Sequence, residues 1–241
     1  MAQKYKVKLI SKEEIAVGTM AFKFEKPTGF IFKAGQTLDW TLINPAYTDA
    51  EGNTRTFSII ASSEENYLGF ATRMRDTAFK RTLRMLTAGS EIEFEGPFGS
   101  FNLHNDSMKP AVMLAGGIGI TPFFSMIKDA TSRKLDHHIF LFYSNRKPED
   151  TAFNQELMDL DSQNPNFKLI ETMTETEKSA QAWQGETGYI TKDMIGKYIP
   201  DLNNVIFYLA GPPSMVLALN EMLQKAGINT DNIKFEEFSG Y

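Results

Sequence analysis

Two short segments of this chain combine residue types that can do chemistry. The first is Arg55-Thr56-Phe57-Ser58, directly after a Gly52-Asn53 turn signal. On an extended strand Arg55 and Phe57 share one face, and Thr56 and Ser58 the other. An arginine suits a phosphate, an aromatic ring stacks on a flat heterocycle, and a hydroxyl hydrogen-bonds a ring nitrogen. The second is Ala115-Gly116-Gly117-Ile118-Gly119-Ile120-Thr121-Pro122, between an apolar run and a helical pattern. Glycines let a backbone approach a pyrophosphate, Thr121 is expected to cap the helix, and Pro122 suits the first helical position, leaving the N-terminal N–H groups aimed at an anion. Pro122 stands where the usual dinucleotide fingerprint has a third small residue, so this is not the ordinary dehydrogenase turn. Taken alone, the glycines could merely turn the chain. A second element of the kind, Ala210-Gly211-Pro212-Pro213-Ser214-Met215, ends a later strand, and ligands of parallel sheets gather at such ends.

A cationic segment lies between the two. Ala71-Thr72-Arg73-Met74-Arg75 ends a strand, Asp76-Thr77-Ala78 starts a helix, and Arg73, Arg75, Lys80, Arg81 and Arg84 fall close together in an otherwise acidic chain. For Arg73, Thr77 and Ala78 the helix N-terminus favours a bound pyrophosphate. Arg81 and Arg84 equally suit a solvated helix face.

The elements that must position these groups change period near the middle of the chain. Up to residue 107 the pattern alternates, as in Tyr5-Val7-Leu9, Met20-Phe22-Phe24, Leu38-Trp40-Leu42 and Leu68-Phe70, with one helix expected over 77–86. Alternation means half-buried antiparallel strands. After Lys109-Pro110, short apolar strands starting at Ala111, His138, Phe167, Val205 and Ile233 alternate with helices whose apolar faces are Phe123-Met126-Ile127-Ala130, Phe153-Leu157-Leu160 and Met215-Val216-Leu219. That is the pattern of a parallel sheet covered on both faces. The fold class is therefore two-domain: an antiparallel Greek-key β-barrel over 1–107, then a doubly wound, Rossmann-like α/β domain over 108–241, joined by a polar linker from His104 to Pro110.

Composition narrows the chemistry. The absence of cysteine removes disulfides, thiolate nucleophiles and cysteine-ligated clusters, so any redox work falls to an organic cofactor. His104, His137 and His138 lack metal-ligand spacing and read as surface or strand-edge residues, so no metal site is expected. A net charge of -5 argues against nucleic acid. With no membrane span and no signal peptide, the expected compartment is the cytoplasm.

In this order the motifs resemble the ferredoxin–NADP reductase superfamily. Arg55-Thr56-Phe57-Ser58 is similar to its arginine-x-tyrosine/phenylalanine-serine flavin motif, Gly96-Pro97-Phe98-Gly99 to its barrel-closing segment, and Gly116 to Pro122 to its nucleotide turn. Ala210 to Met215 resembles its cysteine-glycine-proline-proline-x-methionine element, and Glu236-Glu237-Phe238 its C-terminal glutamate-x-aromatic.

The resemblance implies FAD rather than FMN, NAD(P)H as co-substrate, and a hydride passed between them, with electrons going on to a separate acceptor in trans such as an acidic ferredoxin. It implies that Arg55 holds a flavin phosphate, Phe57 stacks on the isoalloxazine, Ser58 hydrogen-bonds near the hydride acceptor, and Glu236 relays a proton. Phe238 covers the opposite ring face, or Tyr241 does so three residues later; Phe238 is preferred. Ala210 stands where the family usually has cysteine, and a lost thiol there slows transfer without removing a cofactor contact. Arg146, beside Ser144 after the second strand of the sheet, suits NADPH, whereas Thr174-Glu175 after the third suits NADH, and the balance falls to NADH. Two other readings stay open: a reductase that releases reduced free flavin, and a non-catalytic flavin- or nucleotide-binding subunit.

Overall fold

The computed structural model describes residues 3–238, so Tyr241, the alternative stacking ring, lies outside them. Six strands, β1 (Lys4–Ala16), β2 (Thr19–Glu25), β3 (Thr37–Leu42), β4 (Thr54–Ser58), β5 (Tyr67–Arg73) and β6 (Glu91–Phe98), form an antiparallel sheet in the order β4-β3-β6-β1-β2-β5. Chain neighbours pair as the hairpins β1–β2 and β3–β4, while β6 inserts between β3 and β1. The inward residues of the alternating runs are aromatic, and Phe22, Phe24, Trp40, Phe70 and Phe94 fill the interior. Phe57 on β4 stacks on Phe70 of β5 at 4.4 Å between centroids, which draws the two edges of the sheet together into a barrel. Helix α1 (Ala78–Met85) covers the opening with Phe79 and Leu83.

The second sheet is parallel, in the order β10-β9-β8-β7-β11-β12, built from β7 (Ala111–Gly116), β8 (Ile139–Asn145), β9 (Phe167–Met173), β10 (Glu186–Thr187), β11 (Ile206–Gly211) and β12 (Ile233–Glu237). Strands β7 and β11 are buried throughout, because helices cover both faces. Helices α2 (Ile120–Ser132) and α3 (Asn154–Gln163) pack on one face, α4 (Lys192–Tyr198) and α5 (Pro213–Lys225) on the other. The strand order reverses between β7 and β11, and that switch point is where such sheets open a crevice.

Three local expectations are corrected. Residues Gly117–Gly119 form a short 3-10 turn, so α2 starts at Ile120 with Gly119 at its N-cap. Thr121 therefore does not cap the helix; its hydroxyl donates to the Ile118 carbonyl at 3.1 Å, and Pro122 is the third helical residue, not the first. Proline is still tolerated there, since first-turn N–H groups have no intrahelical partner. Phe153 precedes α3 with φ of 59°, and its ring stacks on Phe124 at 4.0 Å. Of the expected surface or strand-edge histidines, His137 is buried at the edge of β8 with its Nε2 2.8 Å from the His104 carbonyl, and His104 is half-buried, its ring meeting the Tyr208 hydroxyl at 2.9 Å and the Lys109 carbonyl at 2.8 Å. Burial holds the His104 pKa below its ordinary value. Among the described residues no group of acidic and histidine side chains is arranged to hold a metal, and no helix is long and apolar enough to cross a membrane.

The two sheets share one face of α2. Ser125 Oγ donates to the Ala61 carbonyl at 2.6 Å, the Ser63 N–H donates to Asp129 at 2.9 Å, and the Lys128 ammonium pairs with Glu65 at 2.6 Å and meets the Tyr67 hydroxyl at 2.9 Å. Phe101 and the barrel residues Ala21, Ala34, Ile60 and Ala71 belong to the same apolar cluster as Phe123, Phe124 and Met126. This bonded contact holds the two sheets together along α2, whose first turn reaches the gap between them through Thr121.

Candidate active site

That gap is a cleft lined by Thr56, Phe57, Ser58, Ala71, Thr72 and Arg73 from the barrel, Lys80 from α1, and Ile118, Thr121 and Phe238 from the parallel domain. Strand β4 delivers Phe57 and Ser58, and strand β5 ends in Ala71-Thr72-Arg73 beside it. Ser58 is buried, and its hydroxyl has no hydrogen-bond partner. An unpaired buried hydroxyl costs about 1–3 kcal/mol, so it is ready for an incoming acceptor or donor. Phe57 has one face against Phe70, leaving its remaining surface to line the cleft. Thr56 is exposed, and its hydroxyl donates to Asp39 across the β3–β4 pair.

Arg55 is not on the cleft wall. Its guanidinium donates to the carbonyls of Glu51, Gly52 and Thr54 and to the Glu51 carboxylate at 2.7 Å, and it lies over the Phe79 ring at 5.2 Å. Thr77 caps α1 by accepting from the Lys80 N–H at 3.3 Å, while the Ala78 N–H donates to Asp49 at 3.2 Å. Arg73 reaches across to the parallel domain: a Cβ on Gly117 would come within 3.3 Å of its guanidinium.

The glycine turns meet one another at the switch point. A Cβ on Gly119 would fall 2.4 Å from the Ala210 carbonyl oxygen, and one on Gly116 would fall 2.3 Å from the Met215 sulfur. Gly119 thus permits close packing of α2 on β11 and Gly116 that of α5 on β7, whereas Gly117 has a φ of 53° and lies beside Arg73 of the cleft wall. Gly211 rests against Gly116, Pro212 precedes α5, and the Phe238 N–H donates to the Gly211 carbonyl at 3.1 Å, which hangs Phe238 at the mouth of the cleft. Ala210 is buried at the end of β11, paired in register with Glu236 on β12. Glu236 does not line the cleft itself; burial pushes its carboxyl up to about 7, and one of its oxygens has no partner.

Further along the sheet edge, Ser144 is partly exposed beside Gly116 in register, and Arg146 is exposed with its Nε 4.0 Å from Glu175. Residues not singled out from the sequence are Ile118, the side chain between the glycines that faces the cleft, and Asp49, whose place six residues before Arg55 is the signal that could have found it.

The sequence profile of the oxidoreductase NAD-binding domain family matches residues 113–221, the span that contains both glycine turns, all of α2 and most of α5. The glycine betaine monooxygenase reductase subunit of Chromohalobacter salexigens is 29% identical over 235 residues, covering 96% of this chain and 62% of that protein. NADH-cytochrome b5 reductase 1 of Dictyostelium discoideum is 30% identical over 183 residues, covering 74% of this chain and 63% of its own length. A ferredoxin NADP+ reductase from Neisseria gonorrhoeae, solved with bound FAD and NADP, superposes with a TM-score of 0.79 at 20% identity over 98% of this chain and 99% of that one. The chain carries an oxidoreductase NAD-binding domain. Its two sheets are the two-domain fold of that ferredoxin NADP+ reductase, and it spans less than two thirds of the length of the two curated relatives named here. The departure at Ala210 from the pattern the motifs resemble lies where Gly119 abuts its carbonyl.

Proposed function

We propose that this chain is an NAD(P)H-dependent flavoprotein reductase that takes a hydride from the nicotinamide onto bound FAD and passes the electrons to a separate acceptor protein. The observation that carries this reading is the cleft in which the unpaired Ser58 hydroxyl and the Phe57 ring from the barrel face Ile118, Thr121 and Phe238 from the parallel domain. The chemistry of hydride uptake and of one- or two-electron release would be supplied by the flavin itself. What the protein adds is position. The Ser58 hydroxyl would hydrogen-bond the ring edge, Phe57 and Phe238 would cover its surface, and the Gly117 turn with Arg73 would receive the dinucleotide phosphates. Glu236, with a carboxyl pushed up to about 7, is matched to proton exchange near neutrality, two residues before Phe238.

Coenzyme choice favours NADH, because Arg146, the cation a 2′-phosphate would need, already faces Glu175. A carboxylate there suits a free ribose hydroxyl. The exposed cations Arg81 and Arg84 on α1 support docking of an acidic carrier such as a ferredoxin. The test is spectroscopic. Protein loaded with FAD is mixed anaerobically with NADH or NADPH, and bleaching of the flavin band is expected with NADH and more slowly with NADPH. Persistence of the oxidised spectrum with both would overturn the reading in favour of a non-catalytic binding subunit.

A further inference from the structure

We propose that Lys80, and not Arg55, is the cation that binds the phosphate of the flavin in this chain. The inference rests on the flavin-binding reading above, and it reassigns the residue that family resemblance would choose.

Arg55 has little left to give. One guanidinium nitrogen donates to the carbonyls of Glu51 at 3.0 Å, Gly52 at 3.1 Å and Thr54 at 2.7 Å, and a second pairs with Glu51 at 2.7 Å and faces Asp49 at 3.7 Å. A group so engaged organises the loop between β3 and β4. A phosphate approaching that second nitrogen would have to displace the hydrogen-bonded Glu51 carboxylate and the Asp49 carboxylate beside it. The same loop spends part of the α1 N-terminus, since Asp49 accepts from the Ala78 N–H.

Lys80 is in the opposite condition. Its side chain borders both the cleft of Phe57 and Ser58 and a neighbouring hollow of about 280 Å³ lined by Tyr47, Arg75, Asp76, Arg81 and Arg84, in which the one carboxylate, Asp76, is paired with Arg81 at 3.3 Å. Among the described residues no carboxylate lies within 4.0 Å of its ammonium. Arg55 on β4 and Arg75 ahead of α1 act on it repulsively and Glu51 of the β3–β4 loop attractively, while Arg73 shares its cleft and Asp76 its hollow. Burial and those arginines bring its pKa down to about 8. Arg55 has its carboxylates, but Lys80 has none within reach, and a bound anion relieves its repulsion from Arg55 and Arg75. A phosphate carried by a ring seated in the cleft and extending toward the Tyr47 hollow meets Lys80, which borders both.

The test separates phosphate recognition from ring recognition. Flavin-free protein is titrated with FAD and with riboflavin, which has no phosphate, following flavin fluorescence. Lys80→Met is expected to weaken FAD by roughly tenfold to a hundredfold while leaving riboflavin unchanged, the loss of one charged hydrogen bond. The melting temperature of the flavin-free variant should equal or exceed that of the parent, because a repelled charge is removed. FAD affinity of the parent should fall as pH rises above 8, where the free lysine loses its proton. Lys80→Arg should keep the affinity and flatten that pH dependence. An unchanged FAD-to-riboflavin ratio in Lys80→Met would overturn the assignment, as would a collapse of that ratio in Arg55→Lys with riboflavin binding intact. If the parent binds neither flavin, the reductase reading itself falls, and the inference with it.

Discussion

The two walls of the cleft prepare for anionic ligands by opposite means. On the parallel side the preparation is steric: Gly119 lets α2 press against β11, Gly116 lets α5 press against β7, Gly117 takes a left-handed turn beside Arg73, and among the described residues no charged side chain of that domain lines the cleft. On the barrel side it is electrostatic, with Arg73 and Lys80 on the wall and Arg75 close by. Affinity built from backbone N–H groups at a helix N-terminus tolerates salt and depends on exact packing, whereas affinity built from lysine and arginine tolerates small shifts and is screened. The comparison teaches that a substitution of one methyl group should be ruinous on one wall and a charge change informative on the other.

Gly119→Ala should break the comparison hardest. Its methyl group would sit 2.4 Å from the Ala210 carbonyl oxygen, a backbone atom that cannot swing away. We expect a loss of about 1–3 kcal/mol in stability, read by urea denaturation, together with loss of nicotinamide binding. A variant as stable as the parent would show that α2 can slide, and that the steric description is wrong.

Next in size is Ser58→Ala. Removing a buried hydroxyl that bonds to nothing should leave the flavin-free protein at least as stable, and raise it by up to about 1 kcal/mol. With flavin bound, the rate of reduction by NADH should drop by roughly an order of magnitude, the worth of one hydrogen bond to the reacting ring. Stopped-flow absorbance checks the second half and thermal melting the first. A fall in both would mean that the hydroxyl has a structural partner.

Glu236→Gln probes pH. Burial raises the folded-state pKa to about 7, so the folded protein holds this proton where an unfolded chain has released it. Stability from this group is therefore full below the ordinary carboxylate range and is lost as pH rises toward 7. The glutamine variant should gain stability relative to the parent at pH 8 but not at pH 4, and its reduction rate should lose any inflection near neutrality. An inflection unchanged by the substitution would assign it elsewhere.

The smallest effect is expected from Ala210→Cys, which restores the residue usual in the superfamily at a position whose backbone is already fixed. Single-turnover reduction should quicken by a few-fold with unchanged coenzyme affinity. A slower variant would indicate that the packing around Gly119 leaves no room for the sulfur.

Much of this was legible in the residues. The change from period-2 alternation to short apolar strands and amphipathic helices marked both sheets, because an antiparallel barrel buries one face of each strand and a doubly wound sheet buries two. Helix α4 escaped notice: Lys192-Asp193-Met194-Ile195-Gly196-Lys197-Tyr198 is short, has a glycine inside, and buries only Met194 and Ile195. The displacement of Thr121 from its expected cap has a similar local cause, a 3-10 turn inserted by Gly117-Ile118-Gly119 that spacing alone does not announce. Arg55 is the instructive case. Its charge was evident, but its engagement was not, because that depends on a loop folding back to present Asp49 and Glu51. For the same reason Lys80 reads as an ordinary helix-surface cation until its place bordering both the cleft and the hollow is seen.

The apolar cluster that spans both sheets also governs how this protein can be taken apart. Ala21, Ala34, Ile60, Ala71 and Phe101 are covered by Phe123, Phe124 and Met126, and Gly35 is pressed so closely that a Cβ would collide with the Phe101 carbonyl and the Met126 side chain. Neither half presents a finished exterior to water. A recombinant fragment cut between them would expose an oily seam, and a hybrid pairing this barrel with another reductase's nucleotide half would need the matching face of α2 transplanted along with it.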